Sequence, residues 1–117
     1  MPPWEAILGK SGVEEVASYV MQLSGRPNVN ATLATAGKTR FDTMCVACHG
    51  FDGKGVQALG GPNLTDNIWL YGGSAGTIAQ SISAGRNGEM PAHKDQLNSD
   101  KIHLVSAYIY SLSNTDK

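Results

Sequence analysis

The chain has 117 residues, too few for more than one compact domain and a tail. Its composition is that of an ordinary soluble protein (41% hydrophobic, 16% charged, mean hydropathy -0.20), and no apolar run nears the roughly 18 residues of a membrane-crossing helix. Nine Lys and Arg against ten Asp and Glu leave a formal charge of -1, which argues against nucleic acid as a partner; the first residues lack the basic-then-apolar order of a signal peptide.

The first helical signal runs from Val13 to Leu23, with Val13, Val16, Ala17, Val20 and Leu23 at helical spacing and Gly25 to Pro27 as the stop. Residues 26–31 are polar and breaker-rich and read as a linker. A second helix is predicted over 32–46, with Leu33, Ala36, Gly37, Phe41 and Met44 on one face. Residues 49–76 hold eight of the fourteen glycines and read mostly as loop. A short helix follows from Thr77 to Ala84, then a loop, GRNGEMP, over 85–91. The last helix, Ser99 to Leu112, carries Ile102, Val105, Ile109 and Leu112 on one stripe, with Ser99 or Asp100 as its expected N-cap. No segment alternates with strand period, so the expected class is all-α. Aromatic content is only 7%, so the protein core is thin and a bound group is expected to help fill it.

An internal repeat stands at an offset of 89, without a gap. Residues 1–25 read MPPWEAILGKSGVEEVASYVMQLSG, and residues 90–114 read MPAHKDQLNSDKIHLVSAYIYSLSN. Met1/Met90, Pro2/Pro91, Leu8/Leu97, Val16/Val105, Tyr19/Tyr108, Leu23/Leu112 and Ser24/Ser113 are identical pairs, and Val13/Ile102 and Val20/Ile109 are similar. The in-register Met-Pro pair sets this apart from a chance likeness of two amphipathic helices. Residues 1–25 are therefore expected to be the C-terminal segment of a truncated upstream domain, and 32–117 a complete second copy.

Both cysteines fall in Cys45-Val46-Ala47-Cys48-His49. C-x-x-C-H is the attachment signature of c-type haem. Two thiols three residues apart can add to the two vinyl groups of the ring, and the next residue then meets the iron as proximal ligand. A thioredoxin-like redox pair would want a βαβ setting, a zinc site would want further ligands near the pair, and a plain disulfide leaves His49 without a role. For the sixth position there are four methionines. Met21 lies inside the first helix and reads as packing, and Met44 is too close in sequence to reach the opposite face of the ring. Met90 sits in a glycine-rich loop ahead of the last helix, and Pro91 stiffens the backbone there, so Met90 is the expected distal ligand.

These segments together, FDTMCVACHG, GGPNLTDNIWLYGG and GRNGEMP before a short aromatic helix, resemble a class I cytochrome c domain. The wording of DNIWLYGGS, ISAGRNGEMPAH and DKIHLVSAYIYSLS resembles the dihaem subunits of cbb-type cytochrome c oxidases, which carry two consecutive cytochrome c domains behind a membrane anchor. The resemblance implies several helices wrapped around one haem c, with the remnant 1–25 starting at its own orphaned axial methionine, Met1. It implies that the carbonyl of Pro62, in Gly61-Pro62-Asn63-Leu64, accepts a hydrogen bond from the ring of His49. It also implies packing of the first and last helices of the second copy, Gly37 and Phe41 against Ala107 and Tyr108. Trp69, Tyr71 and Arg86 are candidate donors to the haem propionates, while Lys54, His93 and His103 read as surface residues.

With His and Met both bound, the iron is saturated, and one-electron transfer without catalysis of its own is the expected task. The resemblance implies an electron-donating cytochrome or quinol-oxidising complex, other oxidase subunits and the missing upstream haem domain as partners. It implies a periplasmic location, with any anchor upstream of residue 1. Two other readings use the same motif: a free-standing shuttle cytochrome, and a haem enzyme or gas sensor with an open sixth site.

Overall fold

The structure is a computed structural model that describes residues 1–114. Among these residues five helices follow one another: α1 (Glu5–Leu23), α2 (Ala31–Met44), α3 (Val46–His49), α4 (Ala75–Ala84) and α5 (Ser99–Ser113). A single 3-10 turn, Gln57–Leu59, lies in the loop between α3 and α4. Among the described residues there is no strand, only an isolated bridge between Val56 and Gly61. The protein is all-α. It divides into two units, Met1–Asn87 and the segment from Gly88 onward that carries α5.

Side-chain caps explain three of the helix starts. Asn30 accepts from the Leu33 N–H at 3.0 Å, Ser74 from Thr77 at 3.1 Å and Asn98 from Lys101 at 2.9 Å. The cap of α5 is thus Asn98, not Ser99 or Asp100 as the sequence suggested. Its extended backbone (ψ 172°) precedes the first helical residue by one, which places its oxygen under the N–H three residues on. The first helix begins well before Val13, because α1 is two helical pieces joined at Gly9 (φ 71°, ψ 170°). That dihedral pair is open to glycine and strained for any other residue.

The core of the first unit is built where α1 meets α2 and α4. Leu8, Val13, Val16, Ala17, Tyr19 and Val20 of α1 are buried with Ala34 and Phe41 of α2 and with Ile78 and Ile82 of α4. The two largest fully buried side chains, Val16 and Phe41, face this junction. Tyr19 meets Phe41 edge to face, with ring centroids 5.1 Å apart. Gly37 sits at the crossing: a Cβ there would lie 1.9 Å from the carbonyl oxygen of Glu15. The missing side chain lets the two backbones touch, and beside the contact Arg40 Nε donates to Glu15 at 2.6 Å. The start of α1 is tied to the end of α4. Trp4 N–H donates to the Ile82 carbonyl at 3.0 Å, and Arg86 N–H to the Met1 carbonyl at 3.0 Å.

Gly37 and Phe41 thus meet Glu15, Val16 and Tyr19 of α1. In the second unit every residue of α5 is exposed, including the stripe Ile102, Val105 and Ile109.

The crossing sets two opposite expectations for glycine substitution. Gly37→Ala forces α1 away from α2 and should destabilise the chain by about 1–3 kcal/mol or more. Gly76 is helical, and a Cβ added there would meet nothing within 4 Å, so replacement by Ala should gain about 0.4–1 kcal/mol. Denaturant unfolding of the two variants against the parent chain reads both signs.

Candidate haem-attachment site

The attachment motif sits where α2 ends. Cys45 leaves helical register (φ -109°, ψ -22°) and separates α2 from the single turn α3. Its carbonyl accepts from the N–H groups of both Cys48 (3.2 Å) and His49 (3.0 Å), so the two thiols and the imidazole belong to one turn. Cys45 is buried against the α1–α2 core, and Cys48 is exposed. Burial, with a smaller contribution from the neighbouring Cys48, pushes the Cys45 thiol up to about 11, so at neutral pH it is a protonated thiol. The two sulfurs are free and form no disulfide.

The glycine-rich loop then folds back over this turn. Gly50 takes φ 76° to end α3, Gly55 N–H donates to the His49 carbonyl at 2.8 Å, and Val56 N–H to the Cys48 carbonyl at 3.1 Å. A Cβ on Gly61 would lie 1.8 Å from that same Cys48 oxygen, so only glycine allows the loop to come this close. The approach carries the carbonyl of Pro62 to 2.9 Å from His49 Nδ1. A carbonyl can only accept, so Nδ1 carries the proton and Nε2 is the nitrogen left to bind a metal. The ring of Phe41 lies 6.3 Å from that of His49, continuous with the core beneath it.

The remaining candidates group differently. Arg86 lies over the ring of Tyr71 (4.3 Å to its centroid), and its Nε donates to Ser81 at 2.9 Å. Trp69 is half-buried beneath Arg26, 5.7 Å from the ring centroid, and Arg26 also donates to the carbonyl of Gly73. In sequence Arg26 belongs to the linker, where nothing in GRPNVNA distinguishes it from a solvated charge; only the fold sets it on an aromatic ring. A tight turn, Gly72 N–H to Trp69 carbonyl at 3.3 Å, thus carries two aromatic rings, each stacked by a guanidinium. Met90 belongs to the second unit, in the loop before α5, and is 85% exposed. His93, His103 and Lys54 are exposed. Among the described residues no three His, Cys, Asp or Glu side chains gather into a metal site of their own.

Residues 32–109 match the family described as cytochrome c oxidase, cbb3-type, subunit III. The chain belongs to that family. It is 46% identical over 116 residues to the cbb3-type cytochrome c oxidase subunit CcoP of Rubrivivax gelatinosus, covering 98% of this chain and 38% of that protein. With CcoP of Rhodobacter capsulatus it shares 43% identity, over 92% of this chain and 38% of the relative. With the cbb3-type cytochrome c oxidase subunit FixP of Azorhizobium caulinodans the identity is 44%, over 92% and 36%. The chain thus spans less than two-fifths of the length of these curated relatives. A cytochrome c domain of this family takes covalently bound haem c, and the local chemistry fits that group: two thiols and a metal-binding imidazole on one turn, with the histidine tautomer fixed by a carbonyl.

The close approach at Gly61 can be tested directly. In Gly61→Ala the added methyl group cannot share space with the Cys48 carbonyl, so the loop lifts and Pro62 withdraws from His49. The His49 Nδ1 proton, followed by nitrogen-edited NMR, should exchange with solvent faster than in the parent chain, with a stability loss of about 1–3 kcal/mol.

Proposed function

We propose that this chain is a one-electron transfer domain holding a single haem c on Cys45 and Cys48, with His49 and Met90 as the axial pair. The observation that carries the reading is the turn from Cys45 to His49, with the His49 Nδ1 proton held by Pro62 at 2.9 Å. When bound, the haem supplies an iron that takes up and releases one electron. The chain's own residues set the terms of that exchange. Cys45 and Cys48 fix the ring to the end of α2, and Pro62 holds the imidazole in one tautomer and strengthens it as a ligand. The thioether of Met90 would be the second iron ligand and would raise the potential relative to a second histidine. Tyr71, Arg86 and Trp69, joined by Arg26, supply the donors and positive charge that two propionates require.

Phe51, Leu59, Ile68 and Leu70 in the loop after the motif are exposed apolar side chains, of the kind a flat apolar group would cover. In the complete protein the domain would take electrons from a soluble cytochrome or a quinol-oxidising complex and pass them to other oxidase subunits, with no catalysis of its own. An upstream haem domain and membrane anchor, and a periplasmic location, complete this proposal. Among the described residues no helix is long and apolar enough to cross a membrane.

Intact mass should exceed the chain mass by one haem, and the Cys45→Ser, Cys48→Ser double variant should carry none. Carbon monoxide should change the spectrum of the reduced protein little, which separates this reading from a gas sensor or haem enzyme with an open site. Met90→His should keep a six-coordinate low-spin spectrum and lower the reduction potential. An unchanged potential would remove Met90 from the axial pair.

A further inference from the structure

The backbone of Arg26 is held in place before its side chain makes any contact. α1 ends in a Schellman cap: Gly25, at φ 79°, donates its N–H to the Gln22 carbonyl at 3.0 Å, and the Arg26 N–H donates to the Met21 carbonyl at 3.2 Å. The left-handed residue is a glycine, as that conformation favours, and Pro27 fixes the dihedral that follows. The residue in the place of Arg26 in such a cap commonly packs an apolar side chain back on its own helix. Here a cation stands there instead, and it leaves the helix to cross to Gly73, 47 residues on in sequence.

At that turn the guanidinium makes two contacts within the first unit. Its carbon lies over the indole of Trp69, 5.7 Å from the ring centroid, and one of its nitrogens donates to the Gly73 carbonyl. Trp69 is packed against the core, so the arginine closes over a ring that the core already supports. Gly73 leaves room for both: a Cβ there would lie 2.5 Å from the indole Cδ1 and 2.8 Å from a guanidinium nitrogen. The next residue, Ser74, caps α4. Arg26 thus ties the end of α1 to an aromatic ring and to the start of α4. Arg86 is a local counterpart, since its Nε is satisfied by Ser81 only five residues away. Arg26 and Trp69 are both half-buried, and a cation over a ring gains strength as water is removed from it.

We propose that, with Trp69 as a donor to a haem propionate, Arg26 is the residue that positions it, so that the span between α1 and α2 takes part in the surroundings of the haem. The stacked guanidinium holds the indole against the core, and the Gly73 carbonyl holds the guanidinium. A cation on the ring face draws electron density from the indole and makes its N–H a stronger donor. Its charge also favours the reduced, less positive state of the group that the indole would contact.

The test uses the haem-loaded full chain and reads first the Trp69 indole N–H in nitrogen-edited NMR of the reduced protein. Trp4, the other tryptophan, is the internal reference. Arg26→Met should shift the Trp69 signal and speed its exchange with solvent by roughly fivefold or more, while the Trp4 signal stays in place. Arg26→Lys keeps the charge but loses the flat, forked set of donors, and slow exchange should not return. Gly73→Ala keeps both side chains, wedges them apart and should speed the exchange as well. These two milder variants decide the matter if Arg26→Met does not fold. An unmoved Trp69 signal, or full recovery in Arg26→Lys, overturns the positioning role. The reduction potential is the second reading. It should fall in Arg26→Met, and the fall should be smaller in a Trp69→Phe background, because Arg26 acts through the indole. An equal fall in both backgrounds makes Arg26 a remote charge and overturns the proposal. Trp69→Phe alone separates the two levels: an unchanged potential removes Trp69 from the propionates and takes the role of Arg26 with it. A changed potential without coupling to Arg26 leaves the haem reading standing and overturns only the role of Arg26.

Discussion

Two backbones touch at Gly37, and the arrangement of the first unit follows from that contact. With no side chain on α2 at the crossing, the Glu15 carbonyl comes close enough for Val16 and Phe41 to be fully buried and for Tyr19 to lie edge-on to Phe41. Dispersion and burial are gained only at such close range. Because α2 is held this firmly, its C-terminal end is a fixed platform, and Cys45 emerges from it already packed into the core. A larger residue at position 37 would move the platform as well as weaken the core.

A second close approach continues the first. At Gly61 the returning loop presses on the Cys48 carbonyl as α1 presses on α2 at Gly37, and both rely on a missing Cβ. The result is a histidine positioned from two sides: its backbone by the turn that begins at Cys45, its ring by the Pro62 carbonyl. Fixing both the place and the tautomer of a ligand before metal binding removes ordering that would otherwise oppose it. Such preorganisation would suit the proposed haem site, whose iron would change charge with little rearrangement around it.

Much of this architecture is legible in the sequence, and the reasons are physical. The helices are visible because their apolar residues recur at helical spacing, and the attachment motif because its chemistry demands two thiols and an imidazole within five residues. Boundaries are less visible: the restart at Gly9 hides the first turns of α1, and Asn98 caps α5 one residue before the position expected. That α1 packs on α2 cannot be read from the apolar stripe alone, since α5 carries the same stripe, with Val16 answered by Val105 and Tyr19 by Tyr108. The Glu15–Arg40 pair joins residues on different elements and leaves no local pattern. Arg26 escapes notice for the same reason, because its aromatic partner lies far away in the chain.

The short connection between α1 and α2 has a kinetic consequence. Only residues 24–30 separate these helices, whereas residues 45–98 separate α2 from α5. The longer span is roughly three doublings of loop length, which costs about 1.8 kcal/mol more in closure entropy. During synthesis from the N-terminus, α2 meets α1 as soon as it emerges, long before α5 exists. The end of α2, from which Cys45 emerges, is thus seated before the loop that later folds back over it has been made.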